Sequence, residues 1–131
     1  MTPVFADTFF FLALINPRDA AHQAAVSFDS ARPLVTTAWV LTERADGLAV
    51  TCDRPLFQKI LADLNRQPPA IVVPPTQDLY ERGQQLYFAR ADKQWSLTDC
   101  ISFVVMQDRG LTEALTADHH FEQAGFVALL K

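Results

Sequence analysis

Short apolar runs alternate with helix-patterned stretches along this chain, and that alternation confines it to an α/β sheet. The strand-like runs are Pro3-Val4-Phe5-Ala6, Leu34-Val35, Ile71-Val72-Val73, Ala114-Leu115-Thr116-Ala117 and Gly125-Phe126-Val127-Ala128-Leu129. They are short, bounded by turn residues and apolar enough to be buried on both faces. Strands that take turns with helices are joined by right-handed crossovers and therefore run parallel. The expected architecture is α/β, a three-layer α/β/α domain around a mainly parallel sheet of about five strands.

The helices between the runs have readable ends. Asp7-Thr8 closes the first strand, and Phe9 to Ile15 reads as a short helix stopped by Asn16-Pro17. A second helix is expected from about Arg18, with Ala21, Ala24, Ala25 and Phe28 on one stripe, broken by Arg32-Pro33. Thr36 or Thr37 can cap a third, which has Leu41, Ala45, Leu48 and Ala49 at core spacing. Another, from about Arg54 to Arg66, takes Asp53 as its cap, and Pro68-Pro69 then forces extended chain. From Thr76 to Ala91 one face carries Leu79, Gly83, Leu86, Tyr87 and Arg90, with a tight contact expected at Gly83. Ser96 opens a helix through Leu97, Cys100, Ile101, Val104 and Val105 to a stop at Gly110. That helix is apolar nearly all round and should be central. Asp118 to Gln123 reads as a helical turn.

With 131 residues, 50% hydrophobic and 20% charged, the chain fits one domain spanning residues 1–131 with a real core. The longest apolar run, Phe9 to Ile15, falls far short of the roughly 20 residues that span a bilayer, and Met1-Thr2-Pro3 supplies no basic leader. The expectation is a cytoplasmic protein that does not enter the membrane. Cys52 and Cys100 form no C-x-x-C pair, so both are expected to be buried thiols without a disulfide.

Four acids, Asp7, Glu43, Asp99 and Asp118, are far apart in the chain, and at least three lie where a strand-like run meets a helix start. In an open parallel sheet such positions converge on one crevice beyond the carboxyl ends of the strands. Oxygen ligands gathered there suit Mg²⁺ or Mn²⁺, and the natural work of such a site is hydrolysis of a phosphate ester. Each acid also has a plain structural explanation. Asp7 and Asp118 could cap helices, Ser96-x-x-Asp99 matches a capping box, and Glu43 in a helix ordinarily faces water. Asp46, one helical turn from Glu43, is a possible substitute ligand.

The net charge of −4 becomes zero once those four acids are set aside, so there is no basic excess to bind nucleic acid indiscriminately. If the substrate is RNA or DNA, affinity must come from the metal and a local patch. Arg44, Arg54, Lys59, Arg66, Arg90 and Lys93 are the candidates, beside the plain alternative of a solvated surface.

The runs Val4-Phe5-Ala6-Asp7-Thr8, Thr36 to Glu43, Ser96 to Phe103 and Leu115 to Phe121 together resemble the PIN-domain family over essentially the whole chain, and Gly125-Phe126 after the last acid fits as well. The resemblance implies a small metal-dependent nuclease with a five-stranded parallel sheet. Asp7, Glu43, Asp99 and Asp118 would form its acidic pocket, supported by the hydroxyls of Thr8 and Thr116. It also implies RNA as substrate, a VapC-type toxin held inactive by a cognate antitoxin, and a homodimer. A DNA substrate or an RNA-processing role stays open.

Close carboxylates repel, so some should hold protons at raised, coupled pKa values until a cation arrives. Asp7, Asp99 and Asp118 are expected to contact the metal, with Glu43 holding an outer water or acting as base. One ion or two remain possible. Competing chemistries fit less well. Adjacent His119 and His120 would point apart, which argues against zinc, and His22 reads as an ordinary helix residue. Cys100 lies on a core stripe, no glycine-rich phosphate loop occurs, and Asp7 lacks the second acid that a nucleophilic-aspartate phosphatase needs. The rival from another class is an interaction protein on the same fold; Trp39, Trp95 and the Phe-rich first helix could serve a dimer or antitoxin surface, although a place in the core is the favoured reading for them.

Overall fold

The computed structural model describes residues 2–28, 31–66 and 69–131. Five strands, β1 (Val4–Ala6), β2 (Leu34–Thr37), β3 (Ile71–Val73), β4 (Glu113–Leu115) and β5 (Val127–Ala128), form one sheet in the order β3-β2-β1-β4-β5. Every pairing is parallel, with Phe5 opposite both Val35 and Ala114. The α/β expectation is met, and the sheet is wholly rather than mainly parallel. All three β1 residues are buried, as a central strand covered on both faces requires. β3 is an edge strand, and Ile71 and Val72 are exposed there.

From β1 the chain steps outward to β2 and β3; it then returns to β4 and steps outward the other way to β5. Right-handed crossovers therefore put the helices of the two halves on opposite faces. The first set is α1 (Thr8–Ile15), α2 (His22–Val26), α3 (Ala38–Gly47) and α4 (Arg54–Leu64), with α1 touching α2 and α3. The second is α5 (Gln77–Ala89), α6 (Leu97–Asp108) and α7 (His119–Gln123), with α6 packed on α5 and α7. None of the helices among the described residues is long and apolar enough to cross a membrane.

α6 is the central helix the sequence predicts: Cys100 to Met106 are buried without interruption. It meets α5 where a Cβ on Gly83 would lie 2.4 Å from Ile101 Cγ1, so the tight contact expected at Gly83 is real. It ends in a Schellman motif, in which Gly110 at φ 65° donates to Gln107 and Leu111 donates to Met106.

Several boundaries differ from expectation. The helix expected from Arg18 is confined to α2, because the Asn16 and Asp19 side chains take the backbone N–H groups of Arg18 and Ala21 and hold that stretch in turns. α3 stops at Gly47, and Ala49 is exposed rather than core. Asp53 makes no side-chain cap; a Pro in the first turn of α4 starts that helix instead. Cys52 is exposed in a short 3₁₀ turn, while Cys100 is buried as expected. β4 ends at Leu115, which leaves Thr116 and Ala117 just beyond the strand. Pro68, half of the Pro68-Pro69 pair, lies outside the described residues.

Candidate active site

β1 and β4 are neighbours whose chains leave in opposite directions. Open α/β sheets form a ligand crevice at such a switch point, beyond the carboxyl ends of the strands. Asp7 follows β1 directly and is only 4% exposed. Although it stands at the N-cap position of α1, its side chain makes no capping bond. Its Oδ2 instead accepts from Thr116 Oγ1 just past β4 at 3.0 Å, and its Oδ1 lies 3.1 Å from Thr8 Oγ1. The capping explanation therefore fails for Asp7.

The Thr8 hydroxyl also reaches Glu43 Oε1 at 2.7 Å. Glu43 is exposed on α3, a helix capped by Thr37, whose Oγ1 accepts from Val40 N–H. A hydroxyl has one hydrogen to give. The contacts to Glu43 and to Asp7 Oδ1 therefore share it. Burial, then the charge of Asp99, push Asp7 up from 3.8 to about 6, against the opposing bonds from Thr116 and Thr8.

On the other side, Thr116 Oγ1 accepts from Asp118 N–H at 3.0 Å, and Asp118 Oδ1 accepts from His120 N–H at 2.9 Å. Asp118 thus caps α7. Asp99 and Ser96 form the capping box that the sequence suggests, and Asp99 Oδ2 also meets His120 Nδ1 at 3.1 Å. A continuous hydrogen-bonded line runs Glu43–Thr8–Asp7–Thr116–Asp118–His120–Asp99, so the structure brings all four predicted acids together. Burial, the largest influence, raises Asp99 above the ordinary aspartate value; Asp118 adds to the rise while the Ser96 N–H and His120 oppose it. The pocket grades from the buried Asp7 through Asp99, whose side chain is 12% exposed, to Asp118 at 32% and the open Glu43. Asp46 is exposed and lines a separate hollow with Arg54 and Phe57.

His120 is a site residue that sequence reasoning missed. Its signal was its place two residues after a capping acid. The expectation that His119 and His120 point apart is also wrong, since their ring centroids are 4.5 Å apart. Cys100, beside Asp99, is no nucleophile: burial, then the Asp99 charge, push its thiol up to about 11.

Among the described residues, no ion pair sets a Lys or Arg on Asp7, Glu43, Asp99 or Asp118. Mutually repelling, partly buried carboxylates without such a Lys or Arg partner fit a hard divalent cation, for which their oxygens are the right donors. The candidate basic residues are dispersed. Arg66 pairs with Asp63, Arg90 pairs with Asp92 and lies over Trp95, and Arg54 donates to the Ala49 carbonyl. Trp95 is buried edge-on against Phe103, as a core residue.

Comparison with known proteins adds an independent line. The chain is 30% identical over 126 residues to the 23S rRNA-specific endonuclease VapC20 of Mycobacterium tuberculosis, covering 95% of both proteins. It superposes on the crystal structure of that protein, described as a sarcin–ricin-loop-cleaving toxin, with a TM-score of 0.80 over 95% of this chain and 96% of the other. FitAcB of Neisseria gonorrhoeae shares the fold at 16% identity, with a TM-score of 0.64 over 95% of this chain and 94% of that one. The PIN domain family model matches residues 4–127, from the first residue of β1 into β5. Matched across its whole sheet and alike over nearly its full length, the chain belongs to the PIN-domain family.

Proposed function

We propose that this protein is a metal-dependent endoribonuclease that hydrolyses RNA phosphodiesters at the pocket of Asp7, Glu43, Asp99 and Asp118, and that it is the toxin of a toxin–antitoxin pair. The observation that carries the reading is the unbroken hydrogen-bonded line through all four acids, with a buried Asp7 driven up to about 6 at its centre. A carboxylate kept buried and raised in this way is characteristic of a functional site. The name of the relative supports RNA, and ribosomal RNA in particular, as the substrate class. Its description as a toxin supports an antitoxin as partner.

Asp7, Asp99 and Asp118 would hold the cation, Mg²⁺ or Mn²⁺, through oxygen atoms. An ion held there would supply charge to neutralise the phosphate, acidify an attacking water and stabilise the departing oxygen. The chain's own residues prepare that arrangement. Thr8 and Thr116 fix the orientation of the Asp7 carboxylate. Asp118 is held by the His120 N–H, and His120 in turn positions the Asp99 carboxylate. Glu43, exposed and hydrogen-bonded to Thr8, would accept a proton from the attacking water.

The test is cleavage of total and ribosomal RNA, with single-stranded DNA as control, by antitoxin-free protein in Mg²⁺, Mn²⁺ or chelator. Metal-dependent cuts in RNA that vanish in Asp99→Asn are expected. Equal products from the two proteins would discard the site, and cuts confined to DNA would discard the substrate.

A further inference from the structure

We propose that Asp118, His119 and His120 form a second metal site, for a borderline transition-metal ion of the Zn²⁺, Co²⁺ or Ni²⁺ kind, which overlaps the carboxylate pocket and shuts it when filled. Binding at this site stands on its own geometry; the shut-off rests on the nuclease reading above.

The His119 and His120 Nδ1 atoms lie 3.6 and 3.5 Å from Asp118 Oδ1, and the three residues can each offer a donor atom within 4.8 Å of the others. A tetrahedral ion with bonds of about 2.0–2.2 Å holds its ligands roughly 3.4 Å apart. The distances from Asp118 to the two rings therefore already match such a coordination sphere. Consecutive residues of a helix project about 100° apart around its axis. These two rings instead converge, their centroids 4.5 Å apart and their planes tilted by 53°, so they are neither splayed nor stacked. Asp99 Oδ2, 3.1 Å from His120 Nδ1, borders the same space and can complete the set, as can water.

The donor chemistry separates this set from the pocket behind it. Two imidazole nitrogens and one carboxylate favour Zn²⁺, Co²⁺ or Ni²⁺ over Mg²⁺, which prefers oxygen and keeps much of its water. His119, at 66% exposure, gives an ion direct access from solvent. An ion on His120 Nδ1 requires the ring hydrogen on Nε2, so binding breaks the His120–Asp99 hydrogen bond. Asp118 is drawn out of the oxygen set at the same time. Filling the outer site thus costs the inner one a ligand and the support of another.

The test uses untagged protein carrying Cys52→Ser, which removes an exposed thiol that could bind the same ions. Co²⁺ titration followed by visible absorption, and Zn²⁺ titration by calorimetry, should each show one saturable site, with the intense absorption of tetrahedral Co²⁺. His119→Ala should weaken binding by about 100-fold, since loss of a direct ligand exceeds loss of a supporting contact. The same variant should cleave RNA in Mg²⁺ at the parent's rate, yet tolerate Zn²⁺ that stops the parent. No saturable binding by the parent, unchanged affinity in His119→Ala, or equal Zn²⁺ inhibition of both proteins would overturn the proposal. Should neither protein cleave RNA in Mg²⁺, the nuclease reading and the shut-off fall together, while the Co²⁺ and Zn²⁺ titrations still decide whether the outer site binds metal.

Discussion

Asp7 and Asp99 share one pocket and feel each other's charge, yet they are held by opposite means. Asp99 takes the Ser96 N–H and the His120 ring, inside a capping box that any helix would welcome. Asp7 is buried, caps nothing through its side chain, and rests on two threonine hydroxyls that cannot fully serve it. Its pKa of about 6 means that the ionised form weakens the metal-free fold. A carboxylate that helps its helix says little about function. One retained at a cost to stability says a good deal more, and Asp7 is the stronger witness.

Neutralising either acid should cost the protein most of its cleavage. Asp7→Asn and Asp99→Asn should each lower RNA cleavage in Mg²⁺ by at least about a thousandfold, the scale of several kcal/mol of lost charge stabilisation. Asparagine keeps an acceptor for the Ser96 N–H at position 99, so the fold should survive, as circular dichroism would verify. If Asp99→Asn keeps its activity while Asp7→Asn loses it, Asp99 is a cap and nothing more.

Stability should separate the two acids in the other direction. The Asp7 pKa rises on folding, so its protonated form stabilises the fold fully below about pH 4, and that contribution is lost as pH climbs through about 6. A rise of roughly two units is worth about 3 kcal/mol for this buried group. In chelator, wild-type stability should therefore fall from pH 4 to 7 by about that amount, and Asp7→Asn should flatten the profile and be the more stable protein at pH 8. Urea unfolding across that range measures it; parallel profiles would show that Asp7 is not the strained group. Millimolar Mg²⁺ or Mn²⁺ should raise the wild-type Tm more at pH 8 than at pH 5, where protons compete, and Asp99→Asn should blunt the gain.

The contrast also marks what the chain discloses on its own. The five strand runs, the buried α6 and the Gly83 contact were legible because short apolar runs between turn residues mark strands, a helix apolar nearly all round is central, and a close helix crossing demands glycine. Asp7 and Asp118 were legible because strand ends meet helix starts there. The short α2 was not, since Asn16 and Asp19 redirect backbone N–H groups in a way that an alanine-rich stripe conceals. Glu43 carries no local signal either: an exposed helical glutamate becomes a site residue only through Thr8, 35 positions away. His120 was hidden for a related reason, because its ring turns toward a carboxylate contributed by a different helix. Local pattern thus reports where backbone is buried, whereas a site joined by side chains is visible only after folding.

Removing one hydroxyl at a time sharpens the picture at smaller scale. Thr116→Val takes away the buried donor to Asp7 Oδ2 and leaves the partly buried Asp118 N–H without its acceptor. A cost of about 2 kcal/mol is expected from unsatisfied buried groups. Cleavage should fall with it, because the link between the two halves of the acid line is cut.

Thr8→Val should have the smallest effect, and the reason tests the proton assignment. Its hydroxyl sits at the half-open side of the pocket, where Glu43 can replace the lost bond with water. The expected cost is about 1 kcal/mol or less. Cleavage should drop by about tenfold, short of the loss expected when a general base is removed outright. Thr8 donates to Asp7 and helps hold its pKa down, so valine should make the charged carboxyl less comfortable. The pH-dependent loss of stability in chelator should then shift to higher pH in Thr8→Val. A shift to lower pH would mean that Thr8 instead accepts from a neutral Asp7.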